Sequence, residues 1–216
     1  MNIHCRKTCE KFWVVDPVIK DVKSIFDFTT QDIDGKEFKF EELRGKTTVI
    51  VNVASKCGYA EFHYKEMVGL YNRYKDTGKF ELLAFPSNQF EDEPDDLPDI
   101  KEFAKLRKVE FRMMTKIDVN YETADPIYRY LKFLAGPQII DWNYTTYYII
   151  SPDGSVKAYN RGTPKDLDEP ITEILFPDGI PEDAPIKEFP EEKQPNKNLK
   201  EVLGIEEEDD EVTKEL

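Results

Sequence analysis

The sequence predicts an α/β fold, a sheet with helices on both faces, and two neighbouring stretches carry that prediction. Thr47 to Ala54 is almost entirely β-branched or small and apolar, with no Gly or Pro. Such an unalternating run reads as a strand covered on both sides. Beyond it, Tyr64, Met67, Val68, Tyr71 and Tyr74 recur at spacings of three and four, which makes one apolar stripe of a helix. Ser55 to Gly58 break the run between the two, so Cys57 sits on a strand-to-helix turn beside the open N–H groups of the helix N-terminus.

The remaining elements follow in chain order. Residues 1–23 are a weakly patterned lead-in, in which His4, Cys5 and Cys9 read more simply as solvated thiols than as a metal site. Ser24 to Phe28 and Lys36 to Phe40 alternate around Asp34-Gly35 and predict a β-hairpin. Glu41 to Gly45 is a short turn into the central strand. The helix after Cys57 ends near Gly78, and Phe80 to Pro86 is the next strand. An acidic loop, Ser87 to Pro94, leads to a helix from Leu97 to Lys108, and Phe111 to Val119 is strand-like. Asp125 caps a helix that has Pro126 in its first turn and runs to about Ala135. Thr145 to Ile150 and Val156 to Tyr159 form a second hairpin around Asp153-Gly154, and Leu167 to Phe176 is the last helix. This succession matches a thioredoxin-like sheet with an added N-terminal β-hairpin. The domain is expected over residues 24–176.

Composition bounds the function. With 216 residues, 39% hydrophobic and 12% aromatic, the chain suits one domain with extensions. A net charge of −14 argues against nucleic acid and anionic membrane surfaces as partners. No apolar run approaches the ~20 residues of a membrane span. Residues 177–216 hold 14 acids and 5 bases, so this segment is expected to be a solvated, disordered acidic tail. No secretory signal is visible and three cysteines cannot all pair within the chain, which points to a reducing, cytoplasmic setting. The ending Thr213-Lys214-Glu215-Leu216 distantly resembles an endoplasmic-reticulum retrieval signal, which keeps the lumen as the alternative.

The chemistry centres on Cys57. An ordinary thiol, with a pKa near ~8.5, is about 3% thiolate at neutral pH. A helix N-terminus supplies roughly 0.3–1 kcal/mol to an anion, less than one pKa unit of ~1.36 kcal/mol. Hydrogen-bond donors aimed at the sulfur, each worth roughly 1.5–3 kcal/mol, are therefore required as well. The register Cys57-Gly58-Tyr59-Ala60 lacks the second thiol of a C-x-x-C motif, so attack on a peroxide suits it better than dithiol exchange.

Three blocks, Asn52 to Gly58, Leu83 to Phe90 and Trp142-Asn143-Tyr144, closely resemble the signatures of the glutathione peroxidases, in order and spacing. Glu61 to Tyr64 is most similar to the endoplasmic-reticulum branch, and the short loop before Trp142 to the small monomeric members. The resemblance implies that Cys57 is the peroxidatic residue, and that Trp142 and Asn143 present N–H groups to its sulfur. It further implies a monomer that needs no cofactor, with glutathione or a thioredoxin-like or protein-disulfide-isomerase reductant as co-substrate.

Three departures stand out. Asp92-Glu93-Pro94 replaces the family's Gln-Glu-Pro triplet in a loop one residue shorter, Ser87 replaces a common cysteine, and residues 97–110 hold no resolving thiol. Gln89 belongs to a different block from the missing glutamine, so Gln89 and Asp92 are the loop's candidate contributors. An Asp beside the sulfur would raise the thiol pKa, which predicts that Asp92→Gln lowers it and speeds oxidation. The expected function is reduction of hydrogen peroxide or organic hydroperoxides through a cysteine sulfenic acid, in the response to oxidative stress. A catalytically weakened redox sensor or binding protein is the alternative.

Overall fold

Residues 16–94 and 96–189 are described by the computed structural model. The expectations for Cys5, Cys9 and the stretch beyond residue 189 lie outside them. Five strands form the main sheet: β3 (Thr47–Val53), β4 (Phe80–Pro86), β5 (Arg112–Met113), β6 (Thr146–Ile150) and β7 (Val156–Asn160), in the order β5-β4-β3-β6-β7. β3, β4 and β5 are parallel, while β6 and β7 run antiparallel to their neighbours. β1 (Thr29–Gln31) and β2 (Glu37–Lys39) form a separate antiparallel pair. The architecture is thioredoxin-like, with the added strand pair at its N-terminal side.

Alternation along the strands divides the core into two layers. Val49, Val51, Val53, Leu82, Ala84, Tyr147 and Ile149 face α1 (Ala60–Tyr74), α2 (Leu97–Leu106) and α4 (Asp168–Leu175). Ile50, Leu83, Phe85, Tyr148 and Ile150 face α3 (Pro126–Ala135) and the N-terminal aromatic group Phe26, Phe38 and Phe40. Every residue of β3 is buried, as expected of a strand covered on both sides. The stripe of α1 buries Tyr64, Met67, Leu70 and Tyr74 completely. At roughly 1.5–3 kcal/mol for each large apolar side chain, this packing rather than intrinsic propensity holds the helix and hence the turn before it. Gly78, at φ 66°, supplies the left-handed residue that ends the helical segment after a 3₁₀ turn.

The structure revises the reading in four places. Ser24 to Asp27 is not the first hairpin strand but a 3₁₀ turn, because Ser24 and Asp27 form a reciprocal capping box; the strand begins at Thr29. Phe111 to Val119 is laddered with β4 only at Arg112–Met113; Met114 and Ile117 N–H still reach the β4 carbonyls of Ala84 and Pro86, but Thr115 N–H turns away to Gln31 and the strand ends. Part of the lead-in is docked: Ile19 is buried and Asp16 pairs with Arg129 at 2.7 Å. Within the expected acidic tail, the end of the described stretch is docked, while residues 177–183 are exposed. Lys187 N–H donates to the Arg73 carbonyl, Arg73 Nη1 donates to the Lys187 carbonyl at 2.6 Å, and Ile186 and Phe189 pack on the core.

Candidate active site

The end of β3, the start of α1, the 87–94 loop and the 141–145 segment converge on Cys57. Tyr144 pins the strand end: Ala54 N–H donates to its hydroxyl at 3.0 Å, and the hydroxyl donates back to the Ala54 carbonyl at 2.6 Å. The backbone of Tyr144 adopts a left-handed φ of 62°, and its N–H bonds the Asn52 carbonyl at 3.1 Å. From the other side, Glu93 is fully buried and accepts from Ser55 N–H at 2.6 Å and Ser55 Oγ at 2.5 Å. Lys56 N–H donates to the Asp92 carbonyl at 2.9 Å, and Ala60 N–H to the Cys57 carbonyl at 2.9 Å. The turn is thus fastened at Ala54, Ser55 and Lys56, and Cys57 emerges from it only 6% exposed.

The sulfur lies between opposing influences. Burial, the largest, pushes the thiol pKa up; the Tyr59 backbone N–H and the Trp142 side chain hydrogen-bond the sulfur and pull it down; the Asp92 carboxylate, by its charge and as acceptor of the thiol, pushes it up again. The balance is raised. Asp92 is thus one of the groups that raise the thiol pKa, the effect the sequence attaches to an acid lying beside the sulfur.

Of the other residues singled out in the sequence, Trp142 reaches the sulfur and also packs on Phe90, with ring centroids 5.3 Å apart. Asn143 does not give its amide to the sulfur. Its Nδ2 donates to Asp92 Oδ2 at 3.2 Å, while Asn52 Nδ2 donates to its Oδ1 at 3.3 Å. A carboxylate only accepts, so once an acid stands at position 92 it draws the asparagine donor to itself. Gln89 is committed elsewhere: its Oε1 accepts from Val119 and Asn120 N–H, both at 2.7 Å, and its Nε2 donates to the Asn120 carbonyl. It fastens the loop to the 119–123 segment and takes no part at the sulfur.

Three residues at the site have roles that sequence reading missed. Glu93 was legible only as part of a triplet, and Tyr144 only as the last residue of a block. His63 stacks on Tyr144 with centroids 4.7 Å apart and planes 7° apart, and its Nδ1 lies 2.7 Å from the Tyr147 hydroxyl. Burial lowers the His63 pKa to about 4, so it is neutral at physiological pH. A groove of about 490 Å³ is lined by Tyr59, Phe62, Trp142, Asn143, Arg161 and Thr163, and so shares Tyr59 and Trp142 with the surroundings of Cys57. Tyr59, Phe62 and Trp142 are each more than 40% exposed, so the groove presents an open aromatic surface. No group of three or more His, Cys, Asp or Glu among the described residues is arranged to hold a metal.

Comparison with known proteins places this geometry. The family model described as glutathione peroxidase matches residues 25–132. "Probable glutathione peroxidase 2" of Arabidopsis thaliana is 45% identical over 160 residues, covering 71% of this chain and 94% of its own length. "Glutathione peroxidase-like peroxiredoxin 2" of Saccharomyces cerevisiae is 42% identical over 159 residues, covering 70% and 97%. Among solved structures, that of T. cruzi GPX1 superimposes with a TM-score of 0.57 at 34% identity, covering 71% of this chain and 97% of the other.

Proposed function

The chain belongs to the glutathione peroxidase family and is a thiol-dependent peroxidase, and on that premise we propose that Cys57 is the sulfur that peroxide oxidises. The observation that carries this is the placement of Cys57: a nearly buried thiol at a helix N-terminus, with a backbone N–H and an indole N–H directed at it. Sγ attacks the terminal oxygen of the peroxide, the O–O bond breaks, and Cys57 becomes a sulfenic acid. Tyr59 N–H and Trp142 stabilise the negative charge on sulfur as it is deprotonated.

We assign reduction of the sulfenic acid to an external thiol, since residues 97–110 hold no cysteine that could resolve it within the fold. Glutathione, a thioredoxin-like protein or protein disulfide isomerase fits this role, and the open aromatic groove lined by Tyr59 and Trp142 is the surface on which it would dock. The reading includes a monomeric enzyme, which the short segment before Trp142 supports.

Peroxide consumption with glutathione, thioredoxin and protein disulfide isomerase offered separately tests the scheme. Cys57→Ser is expected to abolish turnover with every reductant, whereas Cys5→Ser and Cys9→Ser leave it largely intact. An equal loss from either lead-in cysteine would give that residue a resolving role and overturn the single-thiol cycle.

A further inference from the structure

Asp92 occupies a place where a carboxylate opposes the thiolate, yet the fold holds it there from two sides. Its carbonyl is bonded to Lys56 N–H at 2.9 Å, and the next residue, Glu93, is clamped to Ser55. These are the two residues that precede Cys57. The side chain is fixed independently. Asn143 Nδ2 donates to Asp92 Oδ2 at 3.2 Å, and Asn143 is itself 2% exposed and oriented by Asn52, a fully buried amide. Because the carboxylate can only accept, the amide nitrogen must face it, and the oxygen is left for Asn52. The Lys56–Asp92 backbone bond sets this carboxylate beside the residue that follows Lys56, Cys57, and the carboxylate, half-open to solvent, raises the thiol pKa by its charge and as an acceptor.

A carboxylate brought beside the reacting thiol by the Lys56 backbone bond and held by a buried amide is placed as a positioned base would be. A carboxamide in that place donates to a thiolate but offers no basic lone pair for a proton. A carboxylate does the reverse. Resting on the reading of Cys57 as the reacting sulfur, we propose that Asp92 is a catalytic residue that carries the thiol proton to the leaving oxygen of the peroxide. As Sγ attacks the terminal oxygen, the S–O bond forms and the O–O bond breaks. The S–H proton moves onto Asp92, and the departing alkoxide, or hydroxide when the peroxide is hydrogen peroxide, takes it up. Sulfur loses two electrons, the peroxide gains them, and Asp92 returns to its carboxylate form. Asn143 is a positioning residue that aims the carboxylate. The raised thiol fits this arrangement, since the proton rests on sulfur until attack begins.

Charge alone and proton transfer make opposite predictions for Asp92→Asn. Without the carboxylate the thiol is easier to ionise in both cases, so the pH midpoint of iodoacetamide alkylation moves down. If Asp92 carries the proton, single-turnover oxidation of Cys57 by hydrogen peroxide at neutral pH nevertheless falls about 10²-fold, the usual size of one general acid–base contribution. Asn143→Ala, which keeps the carboxylate but frees it, is expected to fall between Asp92→Asn and wild type in oxidation rate, with equal thermal unfolding midpoints confirming a folded chain. Oxidation that rises with the thiolate fraction in Asp92→Asn would overturn the proposal and leave Asp92 as a brake. Wild-type Cys57 reacting no faster than free cysteine at the same pH would instead overturn the assignment of Cys57 itself.

Discussion

Glu93 shows what one buried carboxylate does for this site. It is fully buried, and both bonds it makes to Ser55 are short, 2.6 Å to the N–H and 2.5 Å to the hydroxyl. Its own N–H is taken by Asn88 Oδ1 at 3.0 Å, so the residue joins the 87–94 loop to the turn that carries Cys57. A hydrogen bond to a charged group contributes about 1.5–3 kcal/mol against about 1 kcal/mol for a neutral pair. Glu93→Gln is therefore expected to lower the unfolding free energy by about 2 kcal/mol. Glu93→Ala, which strands the Ser55 donors, is expected to cost about 3–5 kcal/mol. Urea denaturation monitored by tryptophan fluorescence checks both. A change below about 0.5 kcal/mol for Glu93→Ala would mean that the clamp does not hold the loop.

At the scale of the element, α1 is anchored to the sheet near its N-terminus through an uncharged histidine. His63 stacks on Tyr144, the residue that pins Ala54, and bonds the Tyr147 hydroxyl on β6. Burial lowers its pKa from 6.5 to about 4, so the unfolded chain takes up the proton first as the solution is acidified. The sign follows: the stabilisation is complete above pH 6.5, declines as the pH falls through that value, and is gone below about 4. His63→Gln is expected to flatten the pH dependence of unfolding free energy between pH 6.5 and 4 relative to wild type. Parallel curves for the two proteins would show that the ring is not protonated in that window.

Across the whole molecule, the segment after α4 closes the face opposite α3. Arg73, near the end of α1, pairs with Asp168 at 2.7 Å and reaches the Lys187 carbonyl at 2.6 Å, while Lys187 pairs with Asp76 at 2.7 Å. Asp76–Lys187 is largely exposed, and such a pair is worth about 0–1 kcal/mol. Arg73 is mostly covered, and its bonds join α1, α4 and the 177–189 segment at one point. Arg73→Ala is expected to lower stability by about 1–2 kcal/mol and to hasten limited proteolysis within residues 177–189, without altering the rate of Cys57 alkylation. Proteolysis at the wild-type rate would place the hold on this segment in Ile186 and Phe189 rather than in Arg73.

Local chemistry was enough, from the sequence by itself, to determine β3, α1 and the turn between them. An unbroken apolar run and a stripe at helical spacing each need only near neighbours to be read, and Cys57 is placed by their junction. The Asp125 cap and the Phe80–Pro86 strand were legible for the same reason. Shorter signals were overruled locally, as where the Ser24–Asp27 capping box displaced the first hairpin strand. Family resemblance put Trp142 and Asn143 at the sulfur, but only the tertiary structure decided which of the candidate side chains act on it. Asp92, Trp142 and Cys57 come from three loops far apart in the chain, and no periodicity relates them. Nor could composition show that Asn143 turns its donor to Asp92, or that Gln89 spends its amide on Val119 and Asn120. Each polar group takes the partner whose geometry and charge satisfy it once the loops are packed, and that partner exists only after folding.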